Sequence, residues 1–330
     1  MQIHQLAYFA AVVQERHFTR AAELMSVAQP TLSKQVRVLE SELGTPLFDR
    51  ARGNITLTQA GELLYPLARR ILSDVDTARR QVQELAGVRR GRVRLGATPS
   101  LMTGLLADAL ATFRRGFPDI ELQVQESGSQ DLVQHLVGGE LDLGLVIVSR
   151  RTSDRGLVST PIIREDLVVV SSLNEPPPSA SGSIRVADLQ NRPLVMFRPG
   201  YDLRDATLEA CRTAGFEPAL AVEGGEMDAV LRFAEAGLGL AVVPSMVLQS
   251  RPRLRRTSLT EPRLRRTVAL AHRAGAAVPA AALAFRLTLM NHLETLRGDQ
   301  LGQHLELIPV RTRLDLVGLA PVPVEPRATP

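Results

Sequence analysis

The sequence predicts an α/β chain in three parts: a small helical domain with a β-hairpin, one long helix, and a larger α/β domain with two lobes. Three observations lead to this prediction. Up to residue 43, apolar residues recur every three or four positions, which is the period of amphipathic helices. One apolar stripe of the same period then runs from residue 58 to about residue 85. After residue 91, apolar runs of strand length alternate with helical segments, which predicts a parallel sheet covered on both faces.

The composition is that of a globular protein. With 330 residues, of which 45% are hydrophobic and 22% charged, the chain can form about two domains with buried cores. The net charge is only +4, and Lys34 is the single lysine among 39 basic residues. No apolar stretch approaches the roughly 18 residues that cross a bilayer, and the first residues do not form an export signal. We therefore expect a cytoplasmic protein without a membrane partner.

The common signatures of enzymes and metal sites are missing from the sequence. Cys211 is the only cysteine, so it has no partner for a disulfide or a multi-cysteine metal site within one chain. The six histidines are scattered without the spacing of metal ligands. We find no GxGxxG, Walker A, HExxH or GxSxG motif. The sequence therefore predicts no metal, no cofactor and no enzymatic activity.

Three short helices are predicted at the N-terminus. The first covers residues 3–16, and Thr19 is a suitable N-cap for a second at residues 20–25. The third begins at Gln29, with Pro30 in its first turn, where the missing N–H of proline costs nothing. Two short helices joined by a tight turn are typical of a helix-turn-helix.

The polar face of the third helix carries residue types that can pair with base edges or phosphates. These residues are Gln29, Thr31, Ser33, Lys34 and Arg37. A hairpin with its turn at residues 52–54 follows, and Arg50 and Arg52 would let such a wing lie against phosphates or enter a minor groove. The alternative for the helix alone is a solvated face in a small bundle.

Several short motifs follow one another in this region: FTRAAE at 18–23, AQPTLSKQV at 28–36, LE at 39–40, ELG at 42–44, LF at 47–48 and LTQAG at 57–61. Together they resemble the LysR-type transcriptional regulators, and the likeness continues more loosely to about residue 297. The resemblance implies that residues 1–58 form a winged helix-turn-helix DNA-binding domain. Ala28 departs from the family, which often has a serine or threonine there to cap the helix.

The resemblance also implies specific contacts and partners. Gln29, Pro30, Ser33 and Lys34 would lie in the major groove. The full set of expected DNA contacts is Thr19, Arg20, Gln29, Pro30, Thr31, Ser33, Lys34, Arg37, Arg50 and Arg52. The expected partners are double-stranded DNA with a dyad-symmetric operator, a small-molecule effector, and further copies of the chain in a homodimer or homotetramer. RNA polymerase is a further candidate partner.

Residues 59–90 are predicted to form a linker and dimerisation helix. Its apolar stripe comprises Leu64, Leu67, Ile71, Val75, Ala78, Val82 and Leu85. Some 25 residues at 1.5 Å each span about 37 Å, which is on the order of one turn of DNA. Pro66 should kink the helix near its start. The alternative is a helix buried in its own domain, but the arginines opposite the stripe favour pairing on one side only.

Residues 91–300 are predicted to form an effector-binding domain that, by the family resemblance, is similar to periplasmic binding proteins. Lobe I would comprise residues 91–161 and 267–300, and lobe II residues 162–266. The segment 301–330 is an extension beyond the usual length of the family, and its last ten residues are expected to be disordered. The eight arginines between residues 251 and 273 are interpreted as a solvated surface, with subunit contacts or DNA wrapping as alternatives.

The cleft between the lobes is the predicted effector site. Thr98, Pro99 and Ser100 follow the first strand, and Ser127, Gly128 and Ser129 follow the second, so their hydroxyls could meet a ligand carboxylate; simple helix capping is the alternative. The opposite wall is assigned to Ile147, Phe197, Arg198, Pro199 and Tyr201, with a surface salt bridge as the alternative for Arg198. Met227 could close the cleft, with core packing as the alternative. We expect a small carboxylate or a partly apolar or aromatic metabolite.

The resulting hypothesis is a regulator in which the effector changes the angle between the lobes and thereby operator contacts and DNA bending. One rival is a small-molecule-binding or catalytic α/β protein whose N-terminal helices only mediate assembly. A general nucleoid-binding protein is another.

Overall fold

The computed structural model describes residues 1–49, 55–84, 91–148, 156–249, 251–295 and 304–309. The N-terminal domain contains three helices and a small antiparallel hairpin. Its elements are α1 (Ile3–Glu15), α2 (Phe18–Leu24), α3 (Gln29–Leu43), β1 (Phe48–Asp49) and β2 (Thr56–Leu57). Phe9, Val12 and Leu39 form its core with other fully buried side chains. The predicted winged helix-turn-helix is confirmed, although Arg50 and Arg52 lie outside the described residues.

The start of α2 differs from the prediction. The helix begins at Phe18, two residues earlier than predicted, and its N-cap is His17. The backbone N–H of Thr19 donates to His17 Nδ1 at 3.2 Å, so an imidazole nitrogen caps the helix in place of the Thr19 hydroxyl. The side chain of Thr19 is therefore left exposed.

The long helix α4 (Gln59–Glu84) has 26 residues, which corresponds to about 39 Å. Thr58 caps it, since the N–H of Gly61 donates to Thr58 Oγ1 at 3.1 Å. The predicted apolar stripe divides into two faces. Leu64 and Ile71 pack against the N-terminal core, whereas Leu67 and Val82 are 53% and 70% exposed.

Lobe I is built on three parallel strands with helices between them. Its first elements are β3 (Gly91–Ala97), α5 (Pro99–Leu101), a π-helical turn (Met102–Leu106), α6 (Ala107–Gly116), β4 (Ile120–Glu126), α7 (Ser129–Val137) and β5 (Leu143–Ile147). The sheet order β4-β3-β5 is the one expected of a βαβαβ unit. The chain then enters β6 (Leu157–Ser172), a 16-residue strand that runs from lobe I into lobe II.

Lobe II contains a second α/β set. Its elements are β7 (Ser183–Arg185), β8 (Pro193–Met196), α8 (Asp202–Thr213), β9 (Ala219–Glu223), α9 (Met227–Glu235), β10 (Ala241–Pro244) and β11 (Leu254–Thr260). Strand β12 (Arg265–Arg273) and helix α10 (Ala280–Thr295) return to lobe I, and β13 (Leu305–Leu307) ends the described chain. Strand β12 is antiparallel to both β5 and β6, so the sheet is mixed, not wholly parallel as predicted.

The two lobes meet where β6 changes partners. Ile163–Asp166 pair with β12, whereas Leu167–Val170 pair with β10. We call this place the hinge: residues 161–167 of β6 together with residues 261–267, the two segments that carry the chain between the lobes. No helix among the described residues is long and apolar enough to cross a membrane.

Candidate functional site

Helix α3 presents a polar surface on the outside of the N-terminal domain. Leu32, Val36 and Leu39 are fully buried and anchor the helix. The opposite face leaves Gln29, Pro30, Thr31, Lys34 and Arg37 exposed, with Thr19 and Arg20 exposed on α2. Ser33 is only 9% exposed, so it lies beneath this surface and not on it as predicted. The reason is its place on the helix, next to the buried Leu32 and three residues before the buried Val36.

Side-chain hydrogen bonds hold this surface in place. Gln5 Nε2 donates to Gln35 Oε1 at 3.1 Å and ties α1 to α3. At the other end of α3, Glu40 Oε1 accepts from the N–H of Leu47 at 2.9 Å and fixes the start of the hairpin. Ala28 makes no side-chain cap, as expected from its departure from the family. These contacts join the middle of α3 to α1 and its last turn to the hairpin.

A cavity of about 630 Å³ lies between the two lobes. Six of the predicted residues line it: Thr98, Ser100, Gly128, Ser129, Ile147 and Tyr201. Leu167, Leu203 and Ala206 add apolar surface, while Arg265 and Arg266 enter from the hinge. Thr98 and Ser100 follow β3, and Ser129 follows β4, so both predicted hydroxyl clusters contribute to one cleft.

The other predicted effector residues lie elsewhere. Ser127 Oγ donates to Asp131 at 3.1 Å on the surface, and Pro99 and Met227 are buried in packing positions. Arg198 pairs with Glu226 at 2.5 Å and is exposed. Phe197 stacks on Tyr201 with ring centroids 4.6 Å apart, so it supports the cleft from behind. Pro199 is exposed and, like these residues, is absent from the cavity lining.

Arg266 is the central side chain of the cleft floor, and the sequence did not single it out. Its Nε donates to Glu165 Oε2 at 2.9 Å, and its Nη1 donates to Ser100 Oγ at 2.9 Å. Glu165 Oε1 accepts from the N–H of Met246 at 2.6 Å. Arg266 and Glu165 are 7% and 1% exposed, so the interpretation of this arginine as solvated surface is wrong. The pair links lobe I, the hinge and lobe II.

The buried hydroxyl of Tyr201, at the cleft, has no hydrogen-bond partner among the described residues. Arg266 Nη2 lies 2.8 Å from the Glu165 carboxylate and forms an ion pair with it. Burial raises the pKa of Tyr201, so its hydroxyl remains a proton donor. An unpaired buried donor is costly, and the Tyr201 hydroxyl matches an acceptor oxygen of an anion such as a carboxylate.

Helix α7 runs from this cleft to the long helix α4. It begins at Ser129, whose Oγ accepts from the N–H of Ile147 at 3.2 Å, and it ends just before Gly139. The carbonyl of Gly139 accepts from Ser73 Oγ on α4. Ion pairs also join α4 to the loop after α7, between Arg69 and Glu140, and to the end of β12, between Asp74 and Arg273.

Asp142 is the buried centre of this junction. Its oxygens accept from Arg80 Nη2 on α4 at 3.1 Å and from Arg94 Nη2 on β3 at 2.7 Å. Its side chain is 2% exposed, and burial alone would raise its pKa. The hydrogen bonds from Arg94 and Arg80 outweigh that effect and hold the pKa of Asp142 below its usual value.

Cys211 is fully buried in lobe II. Burial, with the charge of Glu217, raises the pKa of its thiol to about 11. Because the thiolate is the reactive form, this cysteine is a packing residue and a poor nucleophile. Among the described residues, no group of three or more histidine, cysteine, aspartate and glutamate side chains could hold a metal ion.

Comparisons with known proteins agree with this architecture. The family model for the bacterial regulatory helix-turn-helix protein, lysR family, matches residues 3–62, and that for the LysR substrate binding domain matches residues 86–294. The chain is 32% identical over 249 residues to YnfL of Escherichia coli, an uncharacterized HTH-type transcriptional regulator, covering 74% of this chain and 82% of YnfL. It is 29% identical over 281 residues to OxyR of Escherichia coli, a DNA-binding transcriptional dual regulator, covering 83% and 90%.

Solved structures share the fold over nearly the whole length. A full-length OxyR variant from Pseudomonas aeruginosa superposes with a TM-score of 0.68 at 27% identity, covering 89% of this chain and 95% of that one. Full-length CbnR complexed with its target DNA superposes with a TM-score of 0.62 at 24% identity, covering 88% and 100%.

Proposed function

Because the chain belongs to the LysR family of transcriptional regulators, we propose that it binds operator DNA through α3 and responds to a small carboxylate held in the cleft between its lobes. The observation that carries the effector half of this proposal is the buried hydroxyl of Tyr201 at the cleft, which has no hydrogen-bond partner among the described residues. The proposal includes no catalytic activity, since both matching family models describe parts of transcriptional regulators. A regulator of this kind acts at the chromosome, so its proposed location is the cytoplasm.

We propose that DNA binding depends on the positions of a few side chains more than on the net charge of the protein. The net charge of +4 provides little general attraction to phosphates, and Lys34 is the only lysine. Its place on the exposed face of α3, near Gln29 and Arg37, suits a helix that enters a major groove. Arg50 and Arg52 stay predicted wing contacts.

Lys34→Ala is expected to weaken binding to an operator fragment by about tenfold or more, because a base-reading or phosphate contact is lost. Gel-shift titrations at fixed salt on the region upstream of the protein's own gene would measure the change. Arg114→Ala is the matched control, since Arg114 is also exposed and basic but lies on α6 of lobe I. Equal affinity for Lys34→Ala and the control would exclude α3 as the reading helix.

We propose that two copies pair through the outer face of α4. Leu63, Leu67 and Val82 are all more than half exposed on it, and a large exposed apolar stripe on one helix favours association. A homodimer would present two reading helices to a dyad-symmetric operator, and a homotetramer would be a pair of such dimers. Contact with RNA polymerase stays a prediction.

The proposed effector has a carboxylate for the polar floor and an apolar body for the lining around Ile147, Leu167 and Leu203. Binding would change the angle between the lobes. Because α7 reaches from Ser129 to the junction around Asp142, a shift of lobe I at the cleft would move α4 and the reading heads with it. This path is the proposed source of altered operator contacts and bending.

Tyr201→Phe is expected to leave the stability of the protein unchanged, because the hydroxyl has no hydrogen-bond partner among the described residues, but to lower carboxylate affinity by about tenfold or more. A thermal-shift panel of small carboxylic acids with their neutral amides would provide the probe, and calorimetric titration of the best acid would compare the two proteins. If the amides bind as well as the acids, or if Tyr201→Phe binds unchanged, the anion-binding assignment fails.

Several relatives are named hydrogen peroxide-inducible genes activators. We do not extend that signal to this chain. Its one cysteine is buried with a raised thiol pKa, and thiol oxidation follows accessible thiolates. A bound metabolite is therefore the proposed signal.

A further inference from the structure

The end of the described chain folds back onto the hinge. Strand β13 pairs with β6 in antiparallel register, with Leu305 opposite Glu165 and Leu307 opposite Ile163. We call residues 304–309 the strap. It lies beyond residue 294, where the match to the LysR substrate binding domain ends.

The strap closes an edge of β6 at the point where the chain passes between the lobes. Residues 163–165 of β6 pair with β12 on one side and with β13 on the other. The N–H of Asp166 donates to the His304 carbonyl at 2.8 Å, and the N–H of Ile308 donates to the Ile162 carbonyl at 2.9 Å. Strand pairing on both edges resists bending of this stretch far more than pairing on one edge does.

Side chains reinforce the same place. His304 Nδ1 lies 3.0 Å from Asp166 Oδ2. Asp166 also accepts from Arg263 Nε at 3.0 Å and from Arg265 Nε at 2.9 Å, and Arg265 lines the cleft. One carboxylate therefore joins the strap to both interlobe segments and to the rim of the proposed effector site. Leu305 and Leu307 pack against the main core.

We propose that the strap stiffens the hinge, so that the C-terminal extension sets how far the two lobes move relative to each other. The inference rests on the proposed function only in taking lobe movement as the signal. It gives the extension a role in regulation: without the strap, the lobes would sample a wider range of angles, and the effector would have less influence on a receptor that is already mobile.

The test compares three chains: full length, one ending at Pro309, and one ending at Gln303. The second keeps the strap and removes residues 310–330, so it is the matched control for the third. Spin labels at Ala111 on α6 and Thr213 on α8, both exposed, report the distance between lobes. A Cys211→Ser background prevents labelling of the native cysteine. Dilution with unlabelled protein removes the distances between subunits.

We expect the full-length chain and the chain ending at Pro309 to give the same narrow distance distribution, and the chain ending at Gln303 to give a broader and shifted one. Amide exchange of Ile162–Asp166 should be faster by about tenfold in the chain ending at Gln303. The same distribution and exchange in both truncated chains would overturn the proposal.

A point variant covers the case in which the chain ending at Gln303 does not fold. In the full-length chain, His304→Ala with Ile308→Pro removes the Asp166 contact and the N–H that donates to Ile162. Its control is Glu306→Ala, which removes only an exposed pair with Arg164. A broader distribution in the double variant alone supports the strap, and no change in either overturns it. Neither DNA nor effector is used, so the result is independent of the proposed function.

Discussion

Asp142→Ala is expected to lower the stability of the C-terminal domain by about 3–5 kcal/mol and to release it from α4. The change leaves Arg80 and Arg94, whose side chains are 9% and 14% exposed, without the carboxylate that both contact. Removing one member of a buried ionic cluster costs far more than the cluster contributes as a whole, because the remaining charges stay desolvated. In a domain of this size, the midpoint of thermal unfolding should fall by roughly 10 °C.

Calorimetry of the full-length chain would measure this shift, and hydrogen exchange at α4 and β3 would report the release. Asp188→Ala is the control, since Asp188 makes a comparable ion pair with Arg185 on the exposed surface and should change the midpoint little. If the two variants melt alike, the cluster around Asp142 does not join the helix to the domain.

The same carboxylate predicts a pH dependence. Because the pKa of Asp142 is lowered on folding, its contribution is complete above the unfolded value near 4 and is lost as the pH falls through the folded value. The difference in stability between wild type and Asp142→Ala should therefore be constant from neutral pH to about pH 5 and shrink in stronger acid.

Gly61→Ala is expected to destabilise the N-terminal domain by about 3 kcal/mol or more and to weaken operator binding with it. A Cβ at this position would lie 2.2 Å from the Leu47 carbonyl oxygen and 2.7 Å from Leu57 Cδ2. The first of these atoms belongs to the backbone of the hairpin, so α4 has to move away from the wing to make room. Movement of α4 also displaces the helices that pack on it.

Circular dichroism melting and gel shifts at two temperatures would measure both effects. Gly116→Ala is the matched control, because Gly116 also lies in a helix but its Cβ would meet nothing within 4 Å. If Gly61→Ala were as stable as the Gly116→Ala control, α4 would not pack as closely against the hairpin as the structure shows.

The sequence predicted elements whose signal is local. The stripes of α1, α3 and α4 follow from spacing alone, and the strands β3, β4 and β5 follow from apolar runs between turns. Strand β11 was missed because Arg255 and Arg256 separate the buried Leu254 from the buried Thr257 and Leu259, so the strand lacks a regular alternation. Strand β13 was missed because three residues carry no periodic signal, and its partner lies about 140 residues earlier.

The residues of the candidate sites also divide into those with a local sequence signal and those without one. The exposed face of α3 could be predicted, except that Ser33 falls just inside the buried sector of the helix. In the cleft, Thr98, Ser100 and Ser129 could be predicted because parallel strands end at one edge of a sheet. Arg198 and Met227 could not be excluded, since nothing local distinguishes an arginine that faces a cleft from one that pairs on the surface.

The sequence by itself determined the order of the three parts, the exposed polar face of α3, the long helix and the family to which the chain belongs, because each depends on residues close together along the chain. Only the tertiary structure decided that Arg266 pairs with Glu165, that Asp142 joins the linker helix to lobe I, and that His304 reaches Asp166. These contacts join residues separated by 62 to 138 positions. Pairing at such separations depends on strand register and packing, for which a single sequence carries no local pattern.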